Sequence, residues 1–260
     1  MSAVEEAFHG LRRMISSGRL GPGQRFPPEA DLCAELGVSR SSLREAVRML
    51  SALGAAESRH GSGVYVSALR PEDIIGSLAL TVDLLPLSGL LDMYELRRVL
   101  ESHAAAQAAA RSTDDINDRL DALLDALEAC DDIEESAQLD SEFHETIATA
   151  SGNPTMVALL GVFRARSRSY QMFGMPDGRS IKRTSDQAHR SIAHAIRVHD
   201  PVAASSAAAS HVAQTETWLR FYRPQPTGGS HSTIGDGSGG DVDDGNVDGG
   251  SSEASGAVGS

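Results

Sequence analysis

The chain has 260 residues, 40% of them apolar, which is enough for one large or two modest domains with ordinary cores and places it among globular proteins. Its net charge of −13 argues against a nucleic-acid partner for the chain as a whole, yet residues 1–70 hold nine Arg against seven acids, and residues 224–260 hold six acids and no Lys or Arg. There is no apolar run long enough to span a bilayer, and the first segment has acids ahead of its bases and no apolar signal core, so a cytoplasmic protein with no membrane partner is expected.

Along the chain, Val4, Phe8, Leu11 and Ile15 have helical spacing, and Gly18 is placed to end that helix. A Gly/Pro turn follows, then a second helix with an acidic first turn and an apolar stripe of Leu32 and Leu36 that stops at Gly37. The next stretch, "GVSRSSLREAVRML", predicts a third helix capped by Ser39. Leu43, Val47 and Leu50 line its packing face, and Arg40, Arg44 and Arg48 recur every four residues on another. Two helices separated by so short a turn form the pattern of a helix-turn-helix. The period then changes: Val64 and Val66 alternate with Tyr65, and Gly61 and Gly63 mark a tight turn. This predicts a β-hairpin wing with Arg59 and His60 at its tip.

Charged residues on a solvated helix face are common, and Arg44 beside Glu45 fits a plain surface as well. The preceding short turn, the serine cap and the following wing favour DNA reading, a task for which the planar fork of arginine suits guanine or phosphate. The candidate DNA-binding residues are Arg40, Ser41, Ser42, Arg44 and Arg48 on the helix, with His60 and Gly61 on the wing.

From Pro71, at a helix start, no further strand pattern appears. Helical segments are predicted at roughly 88–111, 113–130, 133–150, 154–170, 185–199 and 201–222, with breaks at "STDD", "SGNP", "MPDG" and "HDP". Cys33 and Cys130 lie far apart and imply neither a disulfide nor a metal pair. The last stretch is Gly, Ser and Asp with almost nothing apolar, and is expected to be disordered. Asp140 and His144, four apart, share one helix face, where a carboxylate and an imidazole can hold one ion; His189 and His211 lie on two other helices. His103, His194, His199 and His231 have no such partner spacing. Taken alone, each histidine is better read as a hydrogen-bonded or surface imidazole; the set of four residues is what points to an ion.

The motifs I-x-x-G-x-L-x-P-G, P-x-E-x-x-L, L-G-V-S-R, L-R-E-A and H-G-x-G-x-x-V follow one another over about residues 8–66. In this the chain resembles the winged helix-turn-helix of the GntR family of bacterial transcription regulators. The resemblance implies that Arg40 and Arg44 contact bases or phosphates and that His60 and Gly61 reach the minor groove. One departure is Ala30, which follows Glu29 where the family often has arginine, and it removes one possible contact to the operator.

Over about residues 72–222, E-x-R-x-x-L-E, D-x-x-F-H, A-x-G-N and H-x-x-I-x-x-A-I with a later His occur in order. They resemble the helical FCD domain of the FadR-type subfamily. The resemblance implies a six- or seven-helix bundle holding a divalent ion through Asp140, His144, His189 and His211, next to a carboxylate effector that Arg97 helps to neutralise. Zinc is expected first, with nickel, manganese or iron as alternatives. Arg97 is also spaced to pair with Glu101 within its helix.

The expected architecture is mainly α: a winged helix-turn-helix over 1–68, a linker over 69–73, an all-α effector-binding and dimerisation domain over 74–223, and a disordered acidic tail over 224–260. The expected function is a homodimeric regulator, a repressor in the first instance. It would bind double-stranded pseudo-palindromic operator DNA under the control of a small carboxylate. One alternative is a regulator for which the ion itself is the signal. Another is a metal-dependent hydrolase, disfavoured because Glu145 is turned about 100° around the helix from His144 and no other general base stands out.

Overall fold

The computed structural model describes residues 1–226 apart from Gln171. From residue 227 onward the segment expected to be a disordered tail lies outside the described residues, as does His231.

Helix α1 (Ala3–Ser16) opens on a capping box, in which Ser2 Oγ accepts from Glu5 N and the Glu5 carboxylate accepts from Ser2 N. Helix α2 (Glu29–Leu36) ends at Gly37, whose φ of 67° is the left-handed conformation that glycine adopts without steric cost. Helix α3 (Arg40–Ala52) follows after two more residues, with Ser42 N donating to Ser39 Oγ at 3.1 Å. Strands β1 (Ala56–Arg59) and β2 (Gly63–Val66) pair antiparallel, with Ala56 opposite Val66.

The turn between α1 and α2 adds to this hairpin. Phe26 N donates to Val64 O, Val66 N to Gln24 O and Gly23 N to Val66 O, at 2.8–2.9 Å, so residues 23–26 run along β2 and bridge it at Arg25 opposite Tyr65. Leu11, Leu32, Leu43, Leu50, Phe26 and Val66 close one hydrophobic core over these elements.

The remaining described chain is helical. Short α4 (Pro71–Gly76) and α5 (Ala79–Val82) pack on α9; α4 begins within the stretch expected as linker. Six long helices follow: α6 (Leu87–Arg111), α7 (Asp114–Ala129), α8 (Ile133–Ala150), α9 (Pro154–Arg168), α10 (Gly178–Arg197) and α11 (Pro201–Tyr222). A single 3-10 turn at Met172–Gly174 precedes α10. Helices α6 and α11 pack along each other, and buried Ala105, Ala108, Ala204 and Ala208 let helices approach closely in the main core. A second cluster, of Leu90, Tyr94, Tyr170, Met172, Ile181, Val212 and Leu219, lies toward the other end of α6 and α11.

One boundary differs from expectation. Helix α10 starts at Gly178, about two turns before Ser185. The polar run "GRSIKRT" gives little periodic signal, but Ile181 is buried, and Lys182 Nζ donates to Leu127 O and to Asp186. These contacts to α7 and along the helix hold the extra turns in place. Among the described residues no helix is long and apolar enough to cross a membrane.

Candidate functional site

On α3, Arg40, Ser41, Arg44 and Arg48 are exposed, while Ser42 is half-buried under the serine cap. Ser39 Oγ also lies 2.8 Å from Ser41 Oγ and 2.9 Å from Ser42 Oγ, so the three hydroxyls form one cluster at the helix start. Arg44 is gripped bidentately by Glu29 of α2, Nε to Oε1 at 2.9 Å and Nη2 to Oε2 at 3.0 Å. The hydrogen bond from Arg44 holds the Glu29 carboxyl below its ordinary range. Arg48 pairs with Glu45 at 2.6 Å, so Glu45 serves Arg48 and not its neighbour Arg44.

On the wing, His60 and Gly61 are exposed at the hairpin turn, with Gly61 at φ 69°. Arg59 lies 4.2 Å over the Tyr65 ring and is bonded to Glu57. A groove of about 730 Å³ runs between α3 and the wing, with Arg25, Arg44, Arg48, Ser58 and Gly63 on its walls.

In the bundle the four sequence-predicted metal residues converge. Asp140 and His144 come from α8, His189 from α10 and His211 from α11. The three imidazoles are buried, and their ligand atoms all lie within 4.8 Å of one another. His144 Nε2 is 3.2 Å from His189 Nε2, and Asp140 Oδ1 is 3.3 Å from His189 Nε2 and 3.8 Å from His144 Nε2. Donors about 2.1 Å from one ion stand roughly 3.0–3.4 Å apart, from right-angled to tetrahedral geometry, and the two shorter separations fall in that range. The His189 Nδ1 and His211 Nδ1 atoms are buried without a protein hydrogen-bond partner.

The protonation states suit an ion. Burial pushes His189 down to about 3. It also lowers His144, with Arg164 adding to the effect, and lowers His211 well below its ordinary value, reinforced by the two neighbouring imidazoles. All three are therefore neutral at neutral pH, with lone pairs to offer. Burial opposes the charge of Asp140, but Arg164 and the imidazoles outweigh it and hold the carboxyl below its usual range. By donor set, spacing and protonation the residues fit a divalent ion.

Two further residues complete the centre, and neither was a candidate from sequence. Glu101 of α6 is buried, its Oε2 3.3 Å from His144 Nδ1, which fixes the tautomer that leaves Nε2 free. Arg164 of α9 donates to Asp140 Oδ2 at 2.7 Å and to Glu101 Oε2 at 3.2 Å. Glu101 was visible as the spacing partner of Arg97 and as the last residue of E-x-R-x-x-L-E. Arg164 sits in "FRARSR" with nothing local to single it out, because both its partners are distant in sequence.

Arg97 does make the intrahelical pair its spacing allowed: Nε donates to Glu101 Oε1 at 2.8 Å, and Nη1 donates to Ser167 at the same distance. It also faces a cavity of about 100 Å³, whose polar wall includes Arg97, Arg164, Asp140 and His211 and whose apolar wall includes Phe173 and Trp218. Among the remaining described histidines, His103 and His194 are exposed, and His199 bonds Ala109 O at 2.9 Å through Nδ1; none joins the cluster.

Comparison with known proteins places both halves. Residues 3–66 match the family described as bacterial regulatory proteins, gntR family, and residues 92–214 match the FCD domain. The HTH-type transcriptional repressor NanR of Escherichia coli strain K12 is 32% identical over 222 residues, covering 81% of this chain and 82% of that protein. The repressor of the same name from Shigella flexneri aligns with the same identity and coverage. The solved structure of Streptococcus agalactiae GntR is similar at 32% identity, with a TM-score of 0.51 over 82% of this chain and 99% of that one.

Proposed function

Since the chain belongs to the GntR family of bacterial regulatory proteins and carries an FCD domain, it is a DNA-binding transcription regulator and not an enzyme, and we propose that it is a cytoplasmic homodimeric repressor released from its operator by a small carboxylate. The division into a winged domain over residues 1–68, a linker over 69–73 and an effector domain over 74–223 is part of this proposal.

The observation that carries the reading is the shared wall: His211 of the histidine cluster and Asp140, 3.3 Å from His189, both line the cavity. Asp140, His144, His189 and His211 would hold the ion, with zinc the first choice for a mixed nitrogen and oxygen set. When bound, an ion that takes five or six ligands would supply Lewis acidity to a chelating acid beside these four residues. The chain's own groups do the rest. Arg97 and Arg164 offset the negative charge of an acid, although each already shares a carboxylate, and the Phe173 and Trp218 wall receives an apolar part of it. Burial of all three imidazoles favours a resident ion over one that exchanges as a signal.

On the DNA side, Arg40, Ser41, Ser42, Arg44 and Arg48 would enter the major groove, and His60 and Gly61 the adjacent minor groove. Two copies would read the halves of a pseudo-palindrome, so an acid that favours one spacing of the two winged domains weakens binding by its differential affinity for the two arrangements.

The test is the metal content of purified protein, wild type against His189→Ala, followed by operator binding with a panel of small carboxylates. The expected result is one equivalent per chain, lost in the variant, and release of DNA by one class of acid. Loss of DNA binding on chelation alone, with no acid active, would instead make the ion the signal. Wild-type protein that purifies without metal and cannot be loaded overturns the effector half of the reading.

A further inference from the structure

We propose that Arg25, in the turn before α2, is a phosphate-contacting residue of the DNA interface, seated where the sugar-phosphate strand crosses between recognition helix and wing. The inference rests on the DNA-binding reading, and it concerns a residue outside the helix-turn-helix pair and the wing tip.

Arg25 is exposed, while its neighbour Phe26 is buried in the core, as the alternation of an extended strand requires. Its backbone is fixed by the ladder that residues 23–26 form with β2, where Arg25 lies opposite Tyr65. The guanidinium lies against the Gly63 backbone: a Cβ built at that glycine would stand 3.0 Å from Arg25 Nε and 3.2 Å from Nη2. Gly63, at φ 116°, therefore supplies both the backbone conformation and the space for this side chain.

Charge pairing separates Arg25 from its neighbours. Arg44, Arg48 and Arg59 are each bonded to a glutamate, namely Glu29, Glu45 and Glu57. Among the described residues Arg25 has no hydrogen bond or ion pair from its side chain, so all five of its donors are free. It lines the groove between α3 and the wing together with Arg44 and Arg48. When a recognition helix occupies the major groove and a wing the neighbouring minor groove, the strand dividing the two grooves must pass through such a cleft. An uncommitted guanidinium on a rigid backbone there meets phosphate oxygens and not base edges.

The experiment measures binding of the full chain to two fluorescent duplexes across a range of salt. One is an operator selected by the wild-type protein from a random library, and the other is a scrambled duplex of equal length. For Arg25→Gln, the slope of log affinity against log salt is expected to fall by about 0.9, with both duplexes weakened by the same factor, roughly three- to tenfold. Arg25→Lys keeps a cation at the site and is expected to restore the slope.

An unchanged slope in Arg25→Gln, or a loss confined to the operator duplex, overturns the assignment. So does an Arg25→Lys variant that fails to the same degree as Arg25→Gln, since that points to a packing role. Wild-type protein that selects and binds no duplex would refute the DNA-binding reading itself, before any comparison of variants.

Discussion

Glu101 is the residue on which most of the buried charge in the bundle depends. Burial opposes its ionisation, yet Arg97 and Arg164 outweigh that and hold its carboxyl well below the ordinary range. Arg97 in turn stays charged against its own burial because Glu101 is beside it. Replacing Glu101 with Gln leaves the buried Arg97 and the partly buried Arg164 guanidinium groups with only Asp140 as a neighbouring carboxylate. The expected cost is about 3 kcal/mol in denaturant unfolding, the range for breaking a buried pair on one side. The same substitution leaves one neutral amide oxygen for Arg97, Arg164 and His144 Nδ1 to share, so metal affinity is expected to fall about 10- to 100-fold in a competition titration against a chelator. Asp140 supplies a contrast. Arg164 holds its Oδ2 while Oδ1 faces the imidazoles, so Arg164→Met is expected to weaken metal binding with His144, His189 and His211 all intact.

At the scale of elements, two helix starts are decisive. Ser39 caps α3 and gathers Ser41 and Ser42 around its hydroxyl, so Ser39→Ala is expected to cost about 1 kcal/mol in thermal or chemical unfolding. That loss falls on the helix that carries Arg40, Arg44 and Arg48. The start of α10 is tighter. A Cβ at Gly178 would stand 1.9 Å from Phe173 O, a backbone atom that cannot swing aside. Gly178→Ala is therefore expected to destabilise the chain by about 2 kcal/mol or more. Because Met172 and Phe173 line the cavity, effector affinity measured by calorimetry is expected to drop as well, while metal content stays at the wild-type level.

At the scale of the whole molecule, the proposed release of DNA by an acid carries a thermodynamic requirement. Whatever factor an acid takes from operator affinity, the operator must take from affinity for that acid, since binding couplings are reciprocal. Titrating the effector with and without saturating operator DNA is expected to give matching factors, commonly 5- to 150-fold, or about 1–3 kcal/mol of coupling. Unequal factors would show that a third equilibrium, such as dissociation of the dimer, enters the scheme. The uneven distribution of charge belongs to this scale too. The basic excess lies within residues 1–70 and the acidic one elsewhere, so the negative total leaves a local anion-binding face intact.

What the sequence determined is what is encoded within a few turns of chain. Apolar spacing, Ser39, Gly37, and the Asp-Pro break at Asp200 and Pro201 specified most helices to within a turn, because caps and periodicity act locally. Spacing also put Asp140 and His144 on one face, and family likeness added His189 and His211. The early start of α10 escaped because Ile181 is buried by other elements and Lys182 reaches Leu127, partners no local pattern reveals. Tertiary structure alone decided that the three imidazoles meet, that Glu101 and Arg164 complete the centre from α6 and α9, and that the cavity shares its wall. It also decided that Arg25 stands unpaired between helix and wing. Burial and charge pairing are set by contacts between residues far apart in the chain, and these arise only when the helices pack.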